Sequence, residues 1–370
     1  MIIHISLLIA ISVFGFAIYR GGTAVTIQRN KIFVRFSLFL VFIIQSLRAS
    51  NVGWDTYRYE VSFSGIREGY YNSMAASWEP LFKLLNKTVG LFTSNPQWLL
   101  AVCSFIIVYG YGYFVLHNIG EGESAFWPIF FFITLYHYFN SSNLLREYLA
   151  IAFVINVYTV LRQEKSRKNW IIAIILLVLG FLFHRTAAMG VVLFVPFLMD
   201  FKDTKQLVLT ALGAVLVFIG YDLFLELFLR IFPYFLKYER GARFSGAAGI
   251  GASYLVLSML KIIMLLMVFF YKSDDYKQEL YSLSFIMIIA AAFTILRTRV
   301  VLALRAGYYF ETFFPLFIMK FVNRMGRYRG AIYFLAYLFG WAFFLYSILN
   351  TNGGSRGNVP YYFFWQNNIF

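Results

Sequence analysis

The stretch that decides the topology of this chain is residues 170–199, WIIAIILLVLGFLFHRTAAMGVVLFVPFLM. These positions are almost continuously apolar, and a helix needs only about 20 such residues to cross a hydrocarbon core about 30 Å thick. The stretch therefore predicts either one long tilted span or a hairpin of two spans that turns near residues 184–187. The choice between them sets the side of the membrane on which every later loop lies.

Apolar runs of similar length recur along the whole chain. Of its 370 residues, 61% are hydrophobic and 13% are charged, and the mean hydropathy is +0.70. Soluble globular domains do not have this composition, so we expect an all-α polytopic integral membrane protein with residues 1–370 in a single membrane domain. About twelve spans are predicted, at residues 2–19, 32–47, 96–116, 125–140, 144–161, 170–184, 187–199, 206–230, 254–271, 280–297, 300–319 and 331–349.

Basic residues fix the predicted orientation. If residues 170–199 form a hairpin, short basic loops fall on alternate connections, and the positive-inside rule makes those loops cytoplasmic. A single span would instead place Arg324, Arg327 and Arg329 outside, so the hairpin is favoured. The longer segments are then all predicted on the outer face: the loop 48–95 with an interfacial amphipathic helix over 81–92, the loop 233–253, and the C-terminal tail 350–370.

Arginine is enriched away from the predicted cytoplasmic loops. The formal net charge of +15 would indicate nucleic-acid binding in a soluble protein. Here half of the 32 basic residues lie in the predicted cytoplasmic loops, where they set the orientation of the spans, and no nucleic-acid partner is predicted. The other half comprises 12 arginines and 4 lysines. A guanidinium fork binds phosphate oxygens bidentately, which favours a phosphate or diphosphate ligand, although snorkelling to lipid and pairing with acids remain alternatives.

Arg146 is the sharpest of these candidates. It shares a helix face with Asn143 just inside a predicted outer membrane boundary. Other arginines that could converge with it on one diphosphate lie around a later turn and in the large outer loop. They are Arg297, Arg299, Arg305, Arg240 and Arg243.

Three further residues could move protons or bind sugar hydroxyls. His184 lies at the predicted outer hairpin and could accept a proton from a sugar hydroxyl, although a bond to a main-chain carbonyl is an equal alternative. Asp55 and Glu79 could be general bases or sugar ligands; for Glu79, which precedes a proline, helix capping is slightly favoured. With one cysteine, Cys103, and scattered histidines, no metal site or other cofactor is predicted.

Six short motifs occur in order along the chain. They are Arg48-x4-Gly53-x-Asp55-x-Tyr57, Glu79-Pro80, Asn143-x-x-Arg146, Phe183-His184-x-Thr186, Arg305-x-x-Tyr308 and Pro360-Tyr361. Together they resemble the landmarks of the EpsG-like Wzy-type polysaccharide polymerases. Trp54 departs from that pattern, since a small residue is usual between the glycine and the aspartate, and so does Glu147, where glutamine is usual.

The resemblance implies a glycosyltransferase of the bacterial cytoplasmic (inner) membrane, multi-pass, with its active face periplasmic or extracellular. Its substrates would be undecaprenyl-diphosphate-linked oligosaccharides, joined into O-antigen, capsule or exopolysaccharide. The expected partners are that lipid-linked oligosaccharide, membrane lipid, a chain-length regulator and a flippase. The motifs also assign Arg48 and Tyr308 to substrate binding, beside the residues named above.

Two other classes remain open from the sequence. One is a transporter or flippase of lipid-linked glycans, which should show paired repeats and midplane charges. The other is an envelope-glycan ligase or acyltransferase. No internal repeat is apparent in the chain, which disfavours the transporter.

Overall fold

The computed structural model describes residues 1–20, 25–199, 201, 203–231, 252–270, 277–299, 302–350 and 355–369. These residues are mostly helical, and among them the only β-type pairing is an isolated bridge between Arg48 and Phe363. The chain divides into two compact units: a first unit of Met1–Ala188 with Val322–Phe370, and a second unit of Met189–Phe321. The all-helical class predicted from composition is therefore confirmed.

The first unit contains long apolar helices and several short ones. They are α1 (Ile2–Tyr19), α2 (Ile27–Ser46), α3 (Thr56–Arg67), α4 (Ser73–Ala76), α5 (Pro80–Phe92), α6 (Gln97–Asn118), α7 (Phe126–Thr134), α8 (His137–Asn143), α9 (Leu145–Gln163) and α10 (Arg167–Phe183). The later helix α18 (Arg329–Leu349) packs on α7 in the same unit.

The second unit is built from the helices between these. They are α11 (Val195–Leu198), α12 (Thr204–Ile219), α13 (Tyr221–Ile231), α14 (Ala252–Phe270), α15 (Lys277–Leu296), α16 (Leu302–Glu311) and α17 (Phe314–Val322, whose last residue is assigned to the first unit). Helix α15 packs against α12, α14 and α16.

Helix α9 forms the centre of the first unit. Nearly all of its residues are buried, and it packs against both α6 and α10, as expected for a helix that is apolar on every face. Small residues allow the close approach: a Cβ added to Gly110 of α6 would lie 2.7 Å from the Cβ of Ala152. The buried Asn156 amide crosses the same contact and donates to the Gly110 carbonyl at 2.9 Å.

Four helical segments within the described residues are long and apolar enough to cross a membrane. They are Ile2–Tyr19, Gln97–Asn118, Gln278–Leu296 and Gly326–Leu349. Shorter apolar helices accompany them, and the predicted count of about twelve spans is not confirmed. The chain is a membrane protein with fewer full-length spans in its described part than the sequence predicts.

Three predicted spans are interrupted. Residues 125–140 break at Tyr136, whose φ of 69° is left-handed; residues 206–230 break at Gly220; and residues 300–319 contain the two short helices α16 and α17. Irregular backbone at membrane depth is tolerated where it is buried inside the protein, and all of α8 is buried. The residues around such a break can therefore stay apolar, and the hydropathy pattern does not reveal it.

The helix in the stretch 170–199 is also interrupted. Helix α10 ends at Phe183, His184 has extended backbone angles (φ −157°, ψ 125°), and a 3₁₀ helix follows over Arg185–Phe194. One continuous helix is therefore excluded at the place where a turn is predicted. The amphipathic helix predicted over 81–92 is present as α5, and the predicted loop 233–253 lies mostly outside the described residues.

The contact at Gly110 generates a test of the packing. We expect Gly110→Leu to lower the unfolding temperature in detergent, because overpacking against Ala152 costs about 1–3 kcal/mol. Gly213 is the matched control, since no atom lies within 4 Å of a Cβ added there, and Gly213→Leu should leave the unfolding temperature unchanged or higher. Equal unfolding temperatures for the two variants would contradict the proposed close approach.

Candidate functional site

Glu79 joins two other predicted site residues. Its Oε2 accepts a hydrogen bond from Arg146 Nη1 at 2.6 Å, and its Oε1 lies 3.0 Å from His184 Nδ1. The carboxylate is only 3% exposed. Glu79 occupies the N-cap position of α5, as the capping interpretation expects, but its side chain makes no capping hydrogen bond. The carboxylate binds Arg146 and His184 instead.

Local sequence explains the direction of the Glu79 side chain. Pro80 is the first residue of α5, and a residue before proline is held in extended conformation, as the Glu79 angles of φ −69° and ψ 153° show. The side chain therefore leaves from outside the helix. The Arg185 main-chain N–H adds a longer bond to Oε1, at 3.4 Å.

The packing of α9 against α10 brings Arg146 and His184 to the same height along the two helices. A Cβ added to Gly180 would lie 2.8 Å from Val154 and 3.2 Å from the Ala150 carbonyl, so this glycine permits the close approach of the two helices. His184 follows Gly180 by one turn and donates its main-chain N–H to the Gly180 carbonyl, while Arg146 precedes Ala150 by one turn. Both side chains then reach Glu79.

The charge state of Glu79 follows from these contacts. Burial raises the pKa of its carboxyl, but the hydrogen bond and charge of His184 and the charge of Arg146 outweigh burial and hold the pKa at about 2. An ionised carboxylate only accepts hydrogen bonds, so His184 Nδ1 must carry the proton. In a neutral imidazole, His184 Nε2 is then the basic nitrogen, and this buried atom has no hydrogen-bond partner among the described residues.

Arg146 has aromatic and polar neighbours that sequence analysis missed. Its guanidinium lies 5.4 Å from the centre of the Trp78 ring, and the Tyr59 hydroxyl is a further polar neighbour. Arg146 Nε is buried without a partner within the described part of the chain, while the side chain as a whole is 20% exposed. The position of Trp78 directly before Glu79 is the one sequence signal for this contact.

Arg48 lies in the same unit but is turned inward. It is 1% exposed; its Nε donates to Thr56 Oγ1 at 3.2 Å, and its remaining nitrogens donate to the carbonyls of Gln45 and Ser142. The guanidinium thus ties the end of α2 to the start of α3 and to α8. Asp55 is more exposed and pairs with Arg58 at 3.2 Å.

Asn143 is the last residue of α8, and the non-helical Leu144 (φ −92°, ψ 54°) separates it from α9, so the prediction that it shares a helix face with Arg146 is wrong. Asn143 instead connects the site region to the C-terminal tail. It is buried, and its Nδ2 donates to the Arg356 carbonyl at 2.9 Å. The described part of the tail also pairs with the loop after α2, through Ala49 N–H to the Tyr362 carbonyl and Phe364 N–H to the Leu47 carbonyl, both at 2.9 Å. Sequence analysis predicts the tail but not this docking.

Glu60 is another carboxylate that sequence analysis did not single out. It follows Tyr59 on α3 and is half-buried. Burial raises the pKa of its carboxyl to about 7, against the opposing charge of Arg48. Nothing in the residue pattern marks it, because its burial comes from the packing of the loop.

The second unit has a polar cluster of its own. The Arg297 guanidinium lies 4.5 Å from the centre of the Tyr254 ring, and the Tyr254 and Tyr308 hydroxyls are 3.5 Å apart. Lys261, which is 1% exposed, pairs with Glu311. Arg297 and Tyr308, two of the predicted substrate-binding residues, thus both lie beside Tyr254.

The remaining predicted arginines are placed as follows. Arg299 is exposed, with its guanidinium 5.4 Å from the centre of the Phe218 ring, and Arg305 is half-buried on α16, three residues before Tyr308. Arg240 and Arg243 lie outside the described residues. Within the described ranges no group of three or more His, Cys, Asp or Glu side chains could hold a metal ion.

The Glu79 contacts generate a prediction for stability against pH. Because the folded-state pKa is lowered from 4.5 to about 2, Glu79 stabilises the fold fully above about pH 4.5, and this contribution is lost as pH falls toward 2. We expect Glu79→Gln to unfold at a lower temperature than the wild type at pH 7, with a difference that shrinks below pH 4.5. Thermal unfolding in detergent from pH 7 to pH 3 measures it.

Glu68→Gln is the matched control, since Glu68 is exposed and pairs with neighbouring Arg67. We expect that variant to have the same unfolding temperature as the wild type at every pH. A Glu79→Gln difference that stays constant down to pH 3 would contradict the assigned charge state.

Comparison with known families identifies one match. A model of the EpsG family matches residues 31–363, which is nearly the whole chain and includes Glu79, Arg146 and His184. No curated protein and no solved structure gives a significant match. The chain belongs to the EpsG family.

Proposed function

We propose that this protein is a polysaccharide polymerase that joins undecaprenyl-diphosphate-linked oligosaccharide repeats by glycosyl transfer at the non-cytoplasmic face of the bacterial inner membrane. Membership of the EpsG family supports a role of the polymerase type. The observation that carries the proposal is the buried Glu79 carboxylate, which binds Arg146 through one oxygen and His184 through the other. One carboxylate thereby holds an anion-binding group and a proton acceptor side by side.

His184 is the proposed general base. When the imidazole is neutral, Glu79 fixes the tautomer in which Nε2 lacks a proton, and the carboxylate stabilises the imidazolium that forms when Nε2 accepts one. Asp55, the alternative base from the sequence, already pairs with Arg58 at the surface. We therefore assign Asp55 to sugar binding.

Arg146 is the proposed ligand of the diphosphate. A guanidinium stays charged and offers several donors, and Glu79 engages one of them, Nη1. Because the side chain is mostly buried, its attraction for developing negative charge is screened less than it would be in water.

The proposed step is a single displacement at the anomeric carbon of the donor sugar. The acceptor sugar hydroxyl loses its proton to His184 Nε2, and its oxygen forms a bond to the anomeric carbon of the donor. The bond between that carbon and the diphosphate oxygen breaks, and the polyprenyl diphosphate leaves with the electron pair beside Arg146. No nucleotide is needed, since the diphosphate ester supplies the driving force.

The other residues predicted to bind substrate divide into positioning residues and candidate ligands. Arg48 and Asn143 hold the loop around α3 and the tail through their internal hydrogen bonds. The remaining candidate ligands of the diphosphate and sugars are Arg240, Arg243, Arg297, Arg299, Arg305 and Tyr308. A chain-length regulator and a flippase are proposed partners.

Transport of a lipid-linked glycan is the second candidate function. It is favoured by the buried Lys261–Glu311 pair among apolar helices, because intramembrane ion pairs often mark transport pathways. Gene deletion followed by a glycan ladder gel separates the two functions. Loss of the ladder with single repeats retained supports a polymerase, whereas loss of all surface repeats supports a flippase.

His184→Gln tests the proposed base. Without Nε2 as proton acceptor, we expect the rate of polyprenyl diphosphate release by the purified protein, supplied with lipid-linked repeats in liposomes, to fall about 10²- to 10⁴-fold. His117→Gln is the matched control, because His117 is exposed and its ring bonds a carbonyl of its own helix, and it should keep the wild-type rate. A wild-type rate in His184→Gln would exclude His184 as the base.

Arg146→Ala tests the proposed diphosphate ligand. We expect turnover to fall about 10²- to 10³-fold, as for the loss of one preorganised donor to a developing anion. Arg67→Ala, which removes an exposed arginine from α3, should turn over normally. If Arg146→Ala at native expression gives polymer of normal length on a ladder gel, Arg146 is excluded as the diphosphate ligand.

A further inference from the structure

Trp54 is an exposed aromatic residue that the C-terminal tail holds in place. Its side chain is 57% exposed, although its main-chain N–H donates to the Arg356 carbonyl at 3.2 Å. The Arg356 guanidinium lies over one face of the indole, 5.7 Å from the ring centre. Gly357 closes the pyrrole edge, since a Cβ added there would lie 2.5 Å from Trp54 Cδ1. The exposed area therefore lies mainly on the opposite face and the benzene edge.

The backbone around this indole adopts unusual conformations. Gly53, Arg356 and Gly357 all have left-handed φ angles, of 90°, 55° and 75°, and the Gly53 N–H donates to the Gly357 carbonyl at 2.8 Å. A non-glycine residue such as Arg356 is strained in this region, and such strain persists where the surroundings enforce it, often at ligand-binding sites. Here the enforced backbone presents one rigid aromatic face to solvent.

The main chain of Trp54 is linked through the tail to the segment that precedes Arg146. The same Arg356 carbonyl accepts a bond from Asn143 Nδ2 at 2.9 Å. Asn143 precedes Arg146 by three residues, so their Cα atoms are at most about 11 Å apart. Trp54 and Arg146 are thus connected through Arg356 and Asn143, a linkage short enough for one oligosaccharide to extend from Arg146 toward the indole.

We propose that Trp54 and Asp55 form a carbohydrate subsite in which the exposed indole face stacks on a pyranose ring of the oligosaccharide substrate. The electron-rich ring face attracts the polarised C–H groups of a sugar. The adjacent Asp55 carboxylate, which is 30% exposed and oriented by Arg58, accepts hydrogen bonds from sugar hydroxyls. The proposal rests on the proposed function, since it concerns the sugars of the same substrate.

A tryptophan that anchors a protein among lipid headgroups needs no such support. Trp54 is instead fixed on one face and one edge by the tail, and the left-handed backbone around it is enforced by hydrogen bonds to that tail. A ring held in one orientation favours a ligand with a defined apolar face.

The first test uses the wild-type protein. The probe is the soluble oligosaccharide repeat released by mild acid from the host strain's own polysaccharide. Tryptophans are oxidised with N-bromosuccinimide with and without the probe, and mass spectrometry follows each site. We expect the probe to slow Trp54 oxidation several-fold and to leave Trp98 unchanged, since Trp98 is 59% exposed at the start of α6. Equal oxidation of Trp54 with and without saturating probe would overturn the subsite.

The second test uses variants in a binding assay with the same probe. Trp54→Ala should weaken binding on the order of fivefold, and Trp54→Phe by less, because a smaller ring still stacks. Gly357→Ala should also weaken binding, since its added methyl group displaces the indole. Trp98→Ala should bind as the wild type does. Wild-type affinity in a folded Trp54→Ala protein, or equal weakening in Trp98→Ala, would contradict the proposal.

The two proposals fail in different ways. If Arg146→Ala and His184→Gln polymerise normally while Trp54→Ala loses affinity for the oligosaccharide, the catalytic assignment is wrong and the sugar subsite stands. If those variants lose turnover while Trp54→Ala binds and polymerises normally, the subsite is wrong and the catalytic assignment stands.

Discussion

The buried carboxylate of Glu79 is the constraint on which the arrangement of the candidate site depends. An ionised carboxylate that is 3% exposed is tolerated only when charged or hydrogen-bonding partners surround it. Its partners come from two other helix ends, Arg146 at the start of α9 and His184 just after α10. The three segments must therefore meet at one level, and the small residue Gly180 is what allows α9 and α10 to approach closely enough.

The surroundings of this cluster are held by hydrogen bonds from two buried polar side chains. Arg48 is fully buried and joins α2, α3 and α8, while Asn143 binds the tail from the position just before α9. Polar side chains inside an apolar bundle are costly unless they are satisfied, and these two are used to fix irregular backbone. The first loop and the tail, which lie at opposite ends of the sequence, consequently behave as one surface.

Composition and local pattern predict part of this structure. The helical class follows from composition, the helix over 81–92 from its amphipathic spacing and the break near His184 from the charges of the later loops, and all three are confirmed. The break at Tyr136 and the docking of the tail were missed, since no glycine, proline or periodicity marks them. For Glu79 the local sequence predicts only the capping position before Pro80. Its side chain binds Arg146 and His184, which are 67 and 105 residues away in sequence.

The identity of residue 79 matters as much as its charge. A carboxylate has two oxygens, and here each serves a different partner, one orienting the His184 ring and the other holding the Arg146 guanidinium. An aspartate would be shorter by one carbon–carbon bond, about 1.5 Å, and could not span both contacts from the same backbone position. Because both bonds are made on the Glu79 side, His184 Nε2 and Arg146 Nε are left without partners among the described residues. His184 Nε2 is the proton acceptor of the proposed step, and Arg146 keeps a donor besides the one that binds Glu79. The structural role of Glu79 and the proposed chemistry therefore have the same physical origin.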